Sequence, residues 1–163
     1  MSDLVSPASQ REKWVPMILG LGLGVLLPLM AHVYLSTPFN HGWFLATPAL
    51  FVTAVVLAPI LEEWCFRGWL WRAIDRKVQG FSWTKNPSLS RLQFFGLTMT
   101  NLAVTILFSG FHLLTRGFES ATLVFLPSLY LGLVRHHWGR WGPACLLHGF
   151  WNYCWFAGPA TIF

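Results

Sequence analysis

Residues 14–34, WVPMILGLGLGVLLPLMAHVY, form an apolar run without one charged side chain. Hydrocarbon offers no water to pair with backbone N–H and C=O groups, so such a run must satisfy them internally as a helix, and about 20 residues suffice to cross. The run is too long for the apolar part of a cleaved signal peptide, and no small-residue cleavage site follows it. It therefore reads as an uncleaved first membrane helix. Similar runs recur at about 51–71, 94–114, 121–134 and 143–156. The expected fold is an all-α membrane protein, a bundle of about five transmembrane helices in a single domain over 1–163. Within it, 1–13 is a cytoplasmic tail, 14–36 an extra first helix and 51–156 a four-helix catalytic core. The fourth run is short for a full crossing and reads as tilted or partly buried. Pro48 and Pro59 blur the start of the second run. A start at Phe51 places Glu62 and Glu63 near mid-bilayer, whereas a start at Trp43 moves them toward the inner interface.

Charge placement sets the expected topology. Only 10% of the residues are charged, against roughly 25% in a soluble domain. Nine of the eleven Lys and Arg fall into three groups: Arg11 and Lys13; Arg72, Arg76, Lys77, Lys85 and Arg91; Arg135 and Arg140. Basic loops stay on the cytoplasmic side, so the N-terminus is expected inside and the C-terminus outside. No basic face remains once the helices are inserted, so a nucleic-acid partner is not expected. Cys65, Cys145 and Cys154 are odd in number, lie in apolar stretches and form no CxxC pair, which points to small buried side chains rather than disulfides or a zinc knuckle.

Against this background a few polar residues stand out. An ionised side chain at a bilayer centre costs about 2.5 to 3.5 kcal/mol on insertion scales, so one placed there is a functional candidate. Glu63 and Arg67 are four apart with the acid N-terminal, the favourable order for a helical ion pair. Glu62 points about 100° away and must face something else. FSGFH puts His112 on a further helix, and HGFWN puts His148 and Asn152 on one face of the last. A carboxylate shielded by apolar neighbours accepts a proton more readily than one in water. Glu62 is thus suited to activate a water, with His112 holding the same water. His148 and Asn152 are suited to donate to the oxyanion of a tetrahedral intermediate.

EEWCFR, FSGFH and HGFWN match the patterns EExxxR, FxxxH and HxxxN, in that order and on successive helices. Over about 51–155 the chain resembles the CAAX protease and bacteriocin-processing family, the Abi or type II CAAX prenyl endopeptidase group. YLGLVRHHWGRWGPACLLHGFWN also looks like that family's segment between its last two core helices. The resemblance implies a glutamate-dependent intramembrane endopeptidase without metal or other cofactor, acting on a membrane-anchored protein or peptide. It makes Glu62 the catalytic glutamate, His112 its water-positioning partner, and His148 with Asn152 the oxyanion stabilisers. Glu63 and Arg67 become supporting residues. With one helix ahead of its core, the chain is shorter than the large prenyl proteases. It resembles in size the small bacterial members that serve in bacteriocin maturation or in processing C-terminal sorting tags, which implies a bacterial inner membrane.

Three other readings compete. Glu62, His112 and His148 include zinc-ligand types, but no HExxH is present. A proton-relay or transport protein also keeps intramembrane Glu and His, although no internal repeat is visible. A catalytically silent immunity or binding protein would retain the helices without the reaction. Cys145, three residues before His148, lacks the third group that would orient a cysteine protease's base.

Overall fold

The computed structural model describes residues 10–35, 42–78 and 97–157, and all of their regular structure is helical. Helix α1 spans Gln10–Leu35, and the short α2 spans Trp43–Ala46. Helix α3 runs unbroken over Pro48–Val78. It is followed by α4, Met99–Arg116, α5, Phe118–Trp138, and α6, Gly142–Ala157. The basic loop expected at 78–91 lies, apart from Val78, outside the described residues.

Each of α3, α4, α5 and α6 packs against two of the others, so the four close a ring, and α1 lies outside it against α5 and α6. Tyr130 Oη donates to the Pro16 carbonyl at 2.6 Å and Trp151 Nε1 to the Gly20 carbonyl at 2.8 Å. Two glycines of α1 make room for these rings: a Cβ at Gly20 would meet Leu147 at 2.6 Å and Tyr130 at 2.9 Å, and one at Gly24 would meet Trp151 at 2.5 Å. Small residues at membrane-helix interfaces act in this way.

Polarity is inverted relative to a soluble bundle. Leu114, Leu126 and Leu146 are exposed, whereas Glu63, Arg67, Thr100, Asn101, Thr105, His112 and Ser128 are buried. Lipid removes any penalty for the outer leucines, and the buried polar groups pair with one another and with backbone carbonyls, although Glu63 Oε2 and Arg67 Nε have no hydrogen-bond partner among the described residues. The protein is an all-α membrane protein. By length and apolar composition alone, two helices among the described residues suffice to cross, α1 through Lys13–Met30 and α3. The buried polar side chains that the ring turns inward come from α3 (Glu63 and Arg67), α4 (Thr100, Asn101, Thr105 and His112) and α5 (Ser128).

Several boundaries differ from the sequence reading: α1 begins at Gln10 rather than residue 14, and α4 at Met99 rather than about residue 94, because Thr98 caps it by accepting from Asn101 N–H. The fourth helix is not short: α5 has 21 residues, about 31 Å at 1.5 Å per residue. TRGFES looked like a loop because it is polar, yet only Gly117, at φ +87°, departs from the helix. Thr115 donates to the Phe111 carbonyl and Thr122 to the Phe118 carbonyl, each four residues back, so their hydroxyls stay helix-compatible. The second run likewise begins at Pro48 rather than Phe51, because Pro fits a first helical position.

Candidate active site

Helix α3 is α-helical over Ala58–Glu63 but π-helical on either side, over Val52–Leu57 and Trp64–Leu70. Such insertions need a cause, and Pro59 supplies the first. Ala58 N–H bonds to the Thr53 carbonyl, five residues back. Continued at that spacing, residue 59 would bond to Ala54, but proline has no N–H to give. Asn152 of α6 fills the gap, with Nδ2 donating to the Ala54 carbonyl at 2.8 Å. Gly149, one turn earlier on α6, lets the two backbones approach: a Cβ there would lie 2.6 Å from the Val55 carbonyl oxygen.

That contact is with backbone and cannot be relieved by a rotamer change. Gly149→Ala is expected to push α6 off α3 and cost about 1 to 3 kcal/mol, as overpacking does. It should lower the thermal midpoint in detergent, while Gly22→Ala, with nothing within 4 Å of the new Cβ, should not. Equal midpoints for the two variants would show that α6 does not depend on this approach.

Docking α6 on α3 brings four charged or titratable groups together. Arg67 Nη1 donates to Glu63 Oε1 at 3.0 Å, and both side chains are fully buried at 0% exposure. His148 Nδ1 lies 2.9 Å from the same Glu63 oxygen. Its Nε2 lies 3.8 Å from Glu62 Oε2. A carboxylate only accepts, so Nδ1 carries the hydrogen and the imidazole is aimed by Glu63 toward Glu62. The two glutamates differ in access: Glu62 and His148 retain 17% and 12% exposure, whereas Glu63 is sealed.

Arg67 is anchored further by α5, its Nη2 donating to the Ser128 carbonyl at 2.9 Å and to Ser128 Oγ at 2.6 Å. Ser128 Oγ in turn donates to Thr105 Oγ1 at 3.4 Å, and Asn101 Nδ2 donates to the Leu129 carbonyl at 3.0 Å. The Phe108 ring lies beneath the Arg67 guanidinium, its centroid 4.6 Å from Cζ. The same ring sits 4.5 Å from that of His112 and 6.3 Å from that of His148, centroid to centroid. His112 itself is 4% exposed. Its Nδ1 lies 3.1 Å from the Phe108 carbonyl, which can only accept. The hydrogen therefore sits on Nδ1, and Nε2 of the neutral ring is an acceptor.

All the residues singled out from sequence thus lie on α3, α4 and α6. Glu62, Glu63, Arg67 and His148 form one cluster, His112 joins it through Phe108, and Asn152 is turned to the α3 backbone. Sequence reasoning missed Ser128, Thr105 and Asn101. Their only signal was a polar residue on the inward face of a helix, a face that becomes known only with the packing.

A sequence profile of the type II CAAX prenyl endopeptidase Rce1-like family matches residues 43–154. The chain belongs to that family. The Rce1-like match begins at α2, earlier than the motif-based estimate of residue 51, and covers the ring of four while leaving α1 outside. No curated protein and no solved structure is detectably similar to the chain. Rce1-like membership implies a CAAX-type intramembrane protease that meets membrane-associated substrates within lipid.

Proposed function

We propose that the protein is a glutamic-type intramembrane endopeptidase that cuts a membrane-anchored protein or peptide in a bacterial inner membrane, with its N-terminus cytoplasmic. The observation that carries this reading is the unequal pair of glutamates: Glu63 is sealed and ion-paired, and Glu62 is accessible beside His148. Two acids with different surroundings can do different work.

Glu62 takes a proton from water, and the water oxygen attacks the scissile carbonyl carbon. His112, whose Nε2 is an acceptor, orients the second hydrogen of that water. Charge develops on the carbonyl oxygen. His148 in its protonated form keeps Nδ1–H on Glu63 and has Nε2–H to donate, and Asn152 has a second amide hydrogen beyond the one given to Ala54. Glu62 then returns its proton to the leaving nitrogen as the C–N bond breaks, giving a carboxylate and an amine. With His148 protonated, the two acids are matched by two cations. The substrates proposed are of the bacteriocin or sorting-tag kind.

Among the described residues, no three His, Cys, Asp or Glu gather as a metal site. The protein, reconstituted in lipid nanodiscs with a panel of membrane-anchored peptides, is expected to cut at one bond, identified by product mass, and to keep doing so after chelation. Loss of turnover restored by zinc would replace Glu62 with a metal as the activator of water. Tight binding of a peptide that is never cut would favour the silent immunity or binding reading.

A further inference from the structure

The second π segment ends where Trp71 N–H bonds to the Phe66 carbonyl, five residues back. A return to four-residue spacing at Arg72 passes over the next carbonyl, that of Arg67, and leaves it without a partner inside the helix. Arg135 of α5 donates Nε to that carbonyl at 3.0 Å. Its guanidinium also lies over the Trp71 ring, with Cζ 5.4 Å from the centroid. Arg72 holds the following carbonyl, that of Gly68, through its own Nε at 2.9 Å. The turn bearing Glu62 and Glu63 is therefore bracketed by two π segments, each with a carbonyl capped from another helix, Ala54 by Asn152 and Arg67 by Arg135.

We propose that Arg135 is a positioning residue for the Glu63, Arg67 and His148 cluster. A buried carbonyl without a donor is costly, so with Arg135 removed the helix relieves it by closing the bulge. Closing a π-bulge shifts the register by one residue, which turns side chains on one side of it by about 100° relative to the other. Arg67 then no longer reaches Ser128 and Glu63 together, and Glu63 no longer fixes the His148 ring. Arg135 itself contacts the Arg67 carbonyl and the Trp71 ring. It acts by holding the backbone from which Arg67 reaches its partners.

The test reads the His148 Nδ1–H proton resonance in protein labelled with 15N-histidine, in Arg135→Met, which has no donor, and in Arg135→Gln, whose amide nitrogen stands as far along the side chain as the Nε that makes the bond. Arg140→Met is the control, because that arginine lies over Trp138. Arg135→Met is expected to displace the resonance, whereas Arg135→Gln, which keeps the donor, and Arg140→Met leave it in place. The kinetic arm rests on the protease reading: kcat of Arg135→Met should fall roughly tenfold to a hundredfold, the range for misplaced catalytic groups, with KM within about twofold. An unmoved resonance in Arg135→Met overturns the proposal whatever the activity. A displaced resonance in a protein with no protease activity of its own supports the positioning role and counts against the proposed function instead. Should Arg135→Met not accumulate, Arg135→Gln decides: a wild-type resonance and kcat uphold the proposal. A displaced resonance in Arg135→Gln, or failure of both variants to accumulate, overturns it.

Discussion

Glu62→Gln is expected to accumulate in the membrane like the wild type, to bind substrate, and to cut nothing. The amide keeps nearly the volume of the acid and removes the ability to take a proton from water. At 17% exposure, with His148 Nε2 as its neighbour at 3.8 Å, Glu62 is not part of the sealed ion pair, so the substitution leaves Arg67 paired with Glu63. Loss of the general base alone is worth about 10² to 10⁴ in rate. A base that also serves as the acid for the leaving nitrogen should sit at the upper end. The measurement is product formation from a membrane-anchored reporter, with capture of the uncut reporter on the variant as the binding control. Wild-type cleavage by Glu62→Gln would remove Glu62 from the mechanism. A variant that fails to accumulate would mean that the two glutamates have exchanged roles or that the pair is only a structural knot.

Glu63→Gln should fail in the opposite way. Glu63 Oε1 accepts from Arg67 and from His148, and neither Glu63 nor Arg67 has any exposed surface. Removing the negative charge leaves a buried guanidinium held by neutral groups only, Ser128 and the Phe108 ring among them, and breaking one side of a buried pair costs about 3 to 5 kcal/mol. Against a typical total stability of about 5 to 15 kcal/mol, that is a large fraction. The amount of folded protein in the membrane should fall steeply, as read by extraction in mild detergent and size-exclusion profile. Replacing both partners at once, as in Glu63→Gln with Arg67→Met, should recover part of the loss, because no unpaired charge is then left inside. Normal accumulation of Glu63→Gln would show that the pair carries no structural weight.

Much of the candidate site was legible because intramembrane polar residues are costly and must have a use. Glu62, Glu63, Arg67, His112, His148 and Asn152 could be picked out as exceptions to an apolar rule. The i to i+4 spacing of Glu63 and Arg67 was enough to expect the ion pair that the structure contains. Partnerships between helices were not legible. Nothing in HGFWN says that Asn152 faces a carbonyl left bare by Pro59, or that His148 meets Glu63 more closely than Glu62. Ser128 and Thr105 were overlooked for the same reason, since one hydroxyl in an apolar helix has no address until its neighbour is known. Boundaries failed where polarity was taken for a loop: Thr115 and Thr122 satisfy their hydroxyls on their own helices.

By itself, then, the sequence determined that the chain is helical and built for lipid, which residues are too polar to face that lipid, and which of them pair within a single helix. These are local properties, set by backbone hydrogen bonding in hydrocarbon and by the 3.6-residue repeat. Tertiary structure alone decided which glutamate is sealed and which accessible, and that α3 carries two π segments around them. Those outcomes depend on the approach of α6 at Gly149 and on donors from Asn152 and Arg135 that lie many residues away in the chain. A carbonyl that its own helix leaves unpaired is indifferent to where along the sequence its donor comes from, so only the packing of helices can name the residue that fills it.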